Sequence, residues 1–188
     1  MRPRYSVSAI TLARTPHGEA SASIALLTNE FGLIRARAQG IRKSGAKLAS
    51  ALQTLAESEA ILVRGKDGWR LSGAMLSSNR FSELSPLARL RAGRVGQLLL
   101  RLIQGELRDP DLFETYRAFL SILPSLTEEE ADAAETLMAL QMLRMLGLDA
   151  GELPEGAAVF GEGARRKVQE ERRSYILRIN KGISASGL

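Results

Sequence analysis

Residues 19–40 read EASASIALLTNEFGLIRARAQG, and the second half of this stretch decides the fold. From Leu33 to Gly40 the residues alternate, with Ile34, Ala36 and Ala38 apolar and Arg35, Arg37 and Gln39 polar. A period of two puts the two sets on opposite faces of a β-strand, one buried and one facing water. Just before it, Asn29-Glu30-Phe31-Gly32 offers Asn and Gly for a hairpin connection. The run Ile24-Ala25-Leu26-Leu27, within Glu19 to Thr28, is the partner strand.

Outward from this hairpin, Tyr5 to Thr15 is a candidate strand punctuated by Pro16 and Gly18. Arg42-Lys43-Ser44-Gly45-Ala46-Lys47 is a short polar loop, and Leu48 to Arg64 ends in the strand signal Ala60-Ile61-Leu62-Val63. Lys66-Asp67-Gly68 supplies a turn, because Asp-Gly tolerates positive φ. Trp69 to Ser77 is the last strand, with Trp69, Leu71, Gly73 and Met75 on one face and Arg70, Ser72 and Ala74 on the other. Five short strands in about eighty residues predict a small closed barrel, the strand count of the oligonucleotide/oligosaccharide-binding (OB) fold.

The texture changes at Phe81. Ser85-Pro86 reads as an N-cap followed by proline in the first turn, and Leu87, Leu90, Val95, Leu98, Leu99, Leu102 and Ile103 follow at helical spacing. Asp109-Pro110 opens a second helix that Pro124 ends. Thr127 with Glu130 has capping-box spacing and starts a third, apolar over much of its circumference, with Gly147 as its C-terminal stop. The fold class expected is therefore α+β: a five-stranded OB barrel over 1–80, then an α-helical bundle over 81–188. That second part holds a linker near 149–163 and a basic C-terminal helix over Ala164 to Lys181.

Charge is segregated along the chain. Residues 1–80 carry 12 Lys and Arg against 5 Asp and Glu, a net +7; residues 81–154 carry 7 against 12, a net −5; residues 155–188 carry 7 against 4, a net +3. A basic β-half calls for an acidic partner. Arg35 and Arg37 share a strand face, Arg42, Lys43 and Lys47 follow in the loop, and Arg64, Lys66 and Arg70 flank the next hairpin. These eight are the candidate phosphate contacts, because a row of cations on one surface is what a nucleic-acid backbone requires. Each run taken alone also reads as a solvated face. Stacking platforms are scarce. Trp69 alternates with core-like residues, which favours core filling, while Tyr5 and Phe31 stay open between core and surface.

The residues also exclude function classes. There is no cysteine, hence no disulfide, thiol nucleophile or thiolate zinc ligand. The one histidine, His17, sits in Thr15-Pro16-His17-Gly18 and reads first as a turn residue. Helix starts account for Glu128, Glu129, Glu130, Asp109, Asp111 and Glu114, and no phosphate-binding glycine loop or serine elbow appears. No catalytic residue, metal or cofactor is expected. With no apolar run long enough to cross a bilayer, about 20 residues, and no signal core, the protein is expected in the cytoplasm; a DNA role would associate it with the nucleoid.

The run HGEASASIALLTNEFGLIRARAQGIRKSGAKLASALQTLAESEAILVRG (17–65) resembles the N-terminal barrel of the bacterial recombination mediator family RecO. The matching marks are Gly18-Glu19 before the second strand, Leu27-Thr28 and then Gly32 at the hairpin, the Gly40-Ile41-Arg42-Lys43-Ser44 loop, and the long strand to Leu62. The resemblance implies a non-enzymatic DNA repair and recombination mediator. Such a protein binds single- and double-stranded DNA, promotes annealing and helps load the recombinase RecA onto strands coated with single-stranded DNA-binding protein. It implies partnership with RecR and contact with the acidic C-terminal tail of single-stranded DNA-binding protein, and it assigns DNA contact to Arg35, Arg37, Arg42, Lys43 and Lys47. The four-cysteine zinc module of many members has no counterpart here. The competing reading is a protein-interaction adaptor whose basic barrel docks an acidic peptide tail; Arg94, Arg101 or Arg144 in the helical half are candidates to receive such a tail.

Overall fold

The computed structural model describes residues 3–17, 21–39, 45–106 and 108–187. They form two compact units: one holds the chain to Glu83 together with Gln104–Phe113, the other holds Leu84–Ile103 and Glu114 onward.

In the first unit, β1 (Arg4–His17), β2 (Ser21–Thr28), β3 (Gly32–Gln39), β4 (Ala56–Gly65) and β5 (Gly68–Asn79) close into a barrel in the order β1-β2-β3-β5-β4. Every neighbouring pair is antiparallel except β3 and β5, which run parallel. The inward stripe includes Val7, Ala9, Ile24, Leu26, Ile34, Ala36, Ala38, Leu62 and Trp69. Fully burying a Leu or Ile stabilises by about 1.5–3 kcal/mol. A one-residue slip of β3 would turn Ile34, Ala36 and Ala38 outward and its arginines inward, so this stripe fixes the register.

Two sequence expectations change inside the barrel. The polar stretch ends earlier than expected: Gly45–Ala51 is a helix, α1, that delivers Leu52 to the core. In β5 the expected alternation fails part-way. The register shifts opposite Ile61/Leu62, leaving Ser72 as an extra residue, and shifts again opposite Glu57/Ser58. Each bulge inverts the faces beyond it. Ala74 therefore packs against the core and Met75 points to solvent at 69% exposure, the reverse of the strict period.

The second unit is helical: α3 (Pro86–Leu102), the greater part of α4 (Pro110–Ile122), α5 (Glu128–Met145), α6 (Glu162–Glu170) and α7 (Arg172–Ala185). A four-residue helix, α2 (Arg80–Glu83), closes the first unit. The expected caps form. Ser85 accepts from the Ala88 N–H, and Thr127 and Glu130 make a reciprocal capping box. Gly147, at φ 71°, and Leu148 return their N–H groups to Arg144 and Leu143 in a Schellman end. Helix α5 is buried on most sides, and α3, α6 and α7 pack on it.

The segment expected as a linker is packed instead. A 3-10 turn at Ala157–Val159 buries Ala157, Phe160 is fully enclosed beside Phe119, and Gln141 donates to the Ala157 carbonyl. The basic helix expected as one piece is two, broken at Glu171, where ψ reaches 23°.

The acidic α5 and the basic C-terminal helices neutralise each other. Arg165 pairs with Glu130 and Arg172 with Asp132, while Arg178 pairs with Asp149 beyond the end of α5. Arg91, only 6% exposed, reaches Asp132 and Glu135, and Arg94 grips Glu135 with two hydrogen bonds of 2.6 Å. The Arg172 hydrogen bond holds the Asp132 carboxyl below the ordinary carboxylate range, and Arg178 does the same for Asp149. Both groups therefore favour the folded state while ionised. That contribution is complete above the unfolded carboxylate value, about pH 4, and is lost as pH falls through the lower folded values. The thermal midpoint is expected to be flat above about pH 5 and to drop below about pH 4, and Asp132→Asn should lower it at neutral pH and flatten the acid drop. Thermal melts across pH, followed by circular dichroism, check both.

Candidate nucleic-acid interface

The outer face of β2, β3 and β5 carries the site. Alternation along β3 points Arg35, Arg37 and Gln39 out while Ile34, Ala36 and Ala38 go in. Strand pairing then extends the row sideways, with Ser23 of β2 opposite Arg37 and Arg37 opposite Arg70 of the parallel β5. His17, at the end of β1, and the β4–β5 turn residue Lys66 also line this groove of about 510 Å3, and among the described residues Asp67 is the only carboxylate in its lining.

Two guanidinium side chains directly opposite on adjacent strands repel, at a cost of roughly 0.2–1 kcal/mol. Arg70 is steadied by donating to Gln39 Oε1 at 3.2 Å. Among the described residues Arg35, Arg37 and Lys66 have no carboxylate within ion-pair distance. The groove thus gathers positive charge for which the described residues of the barrel supply no carboxylate partner.

Four of the eight expected contacts, Arg35, Arg37, Lys66 and Arg70, come together here. Arg64 does not line the groove. Its guanidinium lies 5.1 Å from the centre of the Trp69 ring and pairs with Glu106 at 3.0 Å. Arg42 and Lys43 lie outside the described residues. Lys47 belongs to α1 and not to a loop, and its side chain lies outside the described residues. The sequence reading missed His17, Ser23 and Gln39 as groove residues. Extending the β3 alternation across to β2 would have found Ser23, which shares the outward parity of Arg37.

The three aromatic residues of the barrel form one cluster. Tyr5 meets Phe31 and Trp69 edge-on at 5.2 and 5.6 Å, and Phe31 tilts against Trp69 at 4.8 Å. Trp69 is 5% exposed and donates its Nε1–H to Glu106 Oε1 at 2.8 Å. Trp69 is thus a core residue, and Tyr5 and Phe31 are half-buried against it.

Residues 1–80 match the family model described as Recombination protein O N terminal. The barrel is similar to a RecO N-terminal domain. Beyond it, the chain is similar to proteins named DNA repair protein RecO. That of Nostoc punctiforme is 26% identical over 156 residues, covering 82% of this chain and 52% of the relative. That of Dehalococcoides mccartyi is 28% identical over 144 residues, covering 76% and 56%. That of Synechococcus elongatus is 32% identical over 139 residues, covering 68% and 52%. The chain spans about half the length of the curated relatives it matches.

Because Trp69 fills the core of this RecO-like barrel, Trp69→Ala should destabilise it by about 3–5 kcal/mol. Urea unfolding followed by circular dichroism measures this. A surface stacking residue would change the midpoint hardly at all.

Proposed function

We propose that this chain acts in DNA repair and recombination as a non-enzymatic binder of nucleic acid, and that the β2-β3-β5 face of its RecO-like barrel grips the phosphate backbone. The observation that carries this reading is the Arg37–Arg70 juxtaposition, flanked by Arg35 and Lys66 and unanswered by carboxylates. In OB barrels the strand 2–3 face and the loops after strands 1 and 4 take oligonucleotides, and those are the elements that supply this groove. The relatives named DNA repair protein RecO support the same role.

The contact chemistry favours binding without base readout. Guanidinium and ammonium groups meet phosphates, and the aromatic cluster is engaged in the core, so base edges stay available. A face that neutralises phosphates while leaving bases unread suits both single- and double-stranded DNA and promotes annealing of complementary strands. Arg42, Lys43 and Lys47 are further candidate phosphate contacts in this proposal. Among the described residues no group of three or more histidine, aspartate or glutamate side chains converges as a metal site, and the reading requires no chemical step.

Partner contacts follow as the finer part of the proposal: RecR, the acidic C-terminal tail of single-stranded DNA-binding protein, and through them RecA loading. A groove of about 800 Å3 on the helical unit, between α3, α5 and α7, is the candidate place for such a tail. Leu90, Leu98, Ile176 and Ile179 line it with Arg101 beside them, while Arg94 and Arg172 in the same lining are already paired with Glu135 and Asp132. In the competing adaptor reading the acidic peptide docks on the basic barrel instead.

Fluorescence anisotropy with a labelled single strand tests the function. Arg37→Ala with Arg70→Ala should weaken binding at least tenfold and reduce the salt slope by about 1.4, since each phosphate contact on a single strand contributes about 0.7. The thermal midpoint should hold. Unchanged affinity would move the interface off this face.

A further inference from the structure

Glu106 lies in the short stretch that returns to the barrel unit after α3. Both of its carboxylate oxygens are engaged: Oε1 accepts from Trp69 Nε1 at 2.8 Å, and Oε2 accepts from Arg64 Nη1 at 3.0 Å. Arg64 and Trp69 are paired across the β4–β5 hairpin, and the guanidinium covers the indole ring. Lys66 and Arg70, two residues after Arg64 and one after Trp69, line the cationic groove. Arg64 shares its face with Trp69 and stands beside the groove, outside its lining, with its charge already answered.

A carboxylate that presents one oxygen to a guanidinium and the other to an indole N–H, with one negative charge shared between them, offers what a phosphodiester offers through its two non-bridging oxygens. The pair is open to water, with side-chain exposures of 56% for Arg64 and 39% for Glu106. An ion pair this exposed is weak and screened by salt, which keeps it exchangeable against a polyanion. We propose that Arg64, stacked on Trp69, is a further phosphodiester subsite of the barrel, occupied internally by Glu106 until a nucleic-acid strand displaces it. This rests on the groove being the nucleic-acid face. It makes Glu106 a brake on affinity, and it couples strand binding to the hydrogen bond of the only tryptophan.

The test is a double-mutant cycle on the full chain, with a fluorescent oligothymidylate at fixed salt. Glu106→Gln should tighten binding about three- to tenfold, and the gain should vanish when Arg64→Ala is also present, because a cycle isolates the pair from a general change of charge. An equal gain in both backgrounds, or no gain, overturns the proposal. The wild-type protein gives a second readout that does not depend on the folding of any variant. Saturating oligothymidylate should shift Trp69 emission as the Glu106 bond breaks; unchanged emission at saturation overturns the proposal. If Arg37→Ala with Arg70→Ala abolishes binding while Glu106→Gln has no effect, the groove reading stands and the Arg64 subsite falls. If the arginine pair proves dispensable, the groove reading itself falls.

Discussion

The parallel pairing of β3 with β5 is the contact on which the rest of the barrel depends. It closes a sheet that would otherwise end in two open edges, and it does so over three residue pairs: Ala36 with Trp69, Arg37 with Arg70, and Ala38 with Leu71. The first and third of these face inward, where the small alanines of β3 leave room for the indole and the leucine. The middle pair faces outward and sets two guanidinium groups side by side. Burial on one side of the seam thus holds together a repulsion on the other. Under the proposed function, the ligand supplies the charge that this juxtaposition lacks.

The same charged residue types behave differently in the two units. In the helices, arginines of α6 and α7 meet carboxylates in or just beyond α5, and Arg91 is sunk between two of them. A buried guanidinium left without partners would be strongly destabilising, so these pairs are structural. The basic character of the C-terminal helices is spent largely within their own unit. In the barrel groove the cations are outward, adjacent and without carboxylate partners, apart from the Arg64–Glu106 pair at its margin. Net charge by region, +7 against −5 and +3, therefore resolves into one surface of available charge and one internally neutralised bundle.

Much of this was legible in the sequence where local pattern governs structure. The β3 alternation placed Arg35 and Arg37 on one outer face, and the capping signals at Ser85, Thr127 and Gly147 marked true helix ends. The reading failed where a remote partner sets the geometry. Met75 and Ala74 exchange faces because bulges in β5 answer the register of β4, which no period within β5 can report. Phe160 is enclosed because Phe119 lies beside it, so a stretch rich in glycine and proline packs as core. Glu106 stands 42 positions from Arg64 in the chain, and its role becomes visible only once the segment after α3 returns to the barrel.

The central claim is that nucleic acid lies on the β2-β3-β5 face. Photo-crosslinking of a thiothymidine-substituted single strand to the full chain, with the modified peptides located by mass spectrometry, tests it most directly. Crosslinks concentrated in residues 17–39 and 64–70 are the predicted result. Crosslinks confined to α6 and α7, with the barrel peptides unmodified, would contradict it.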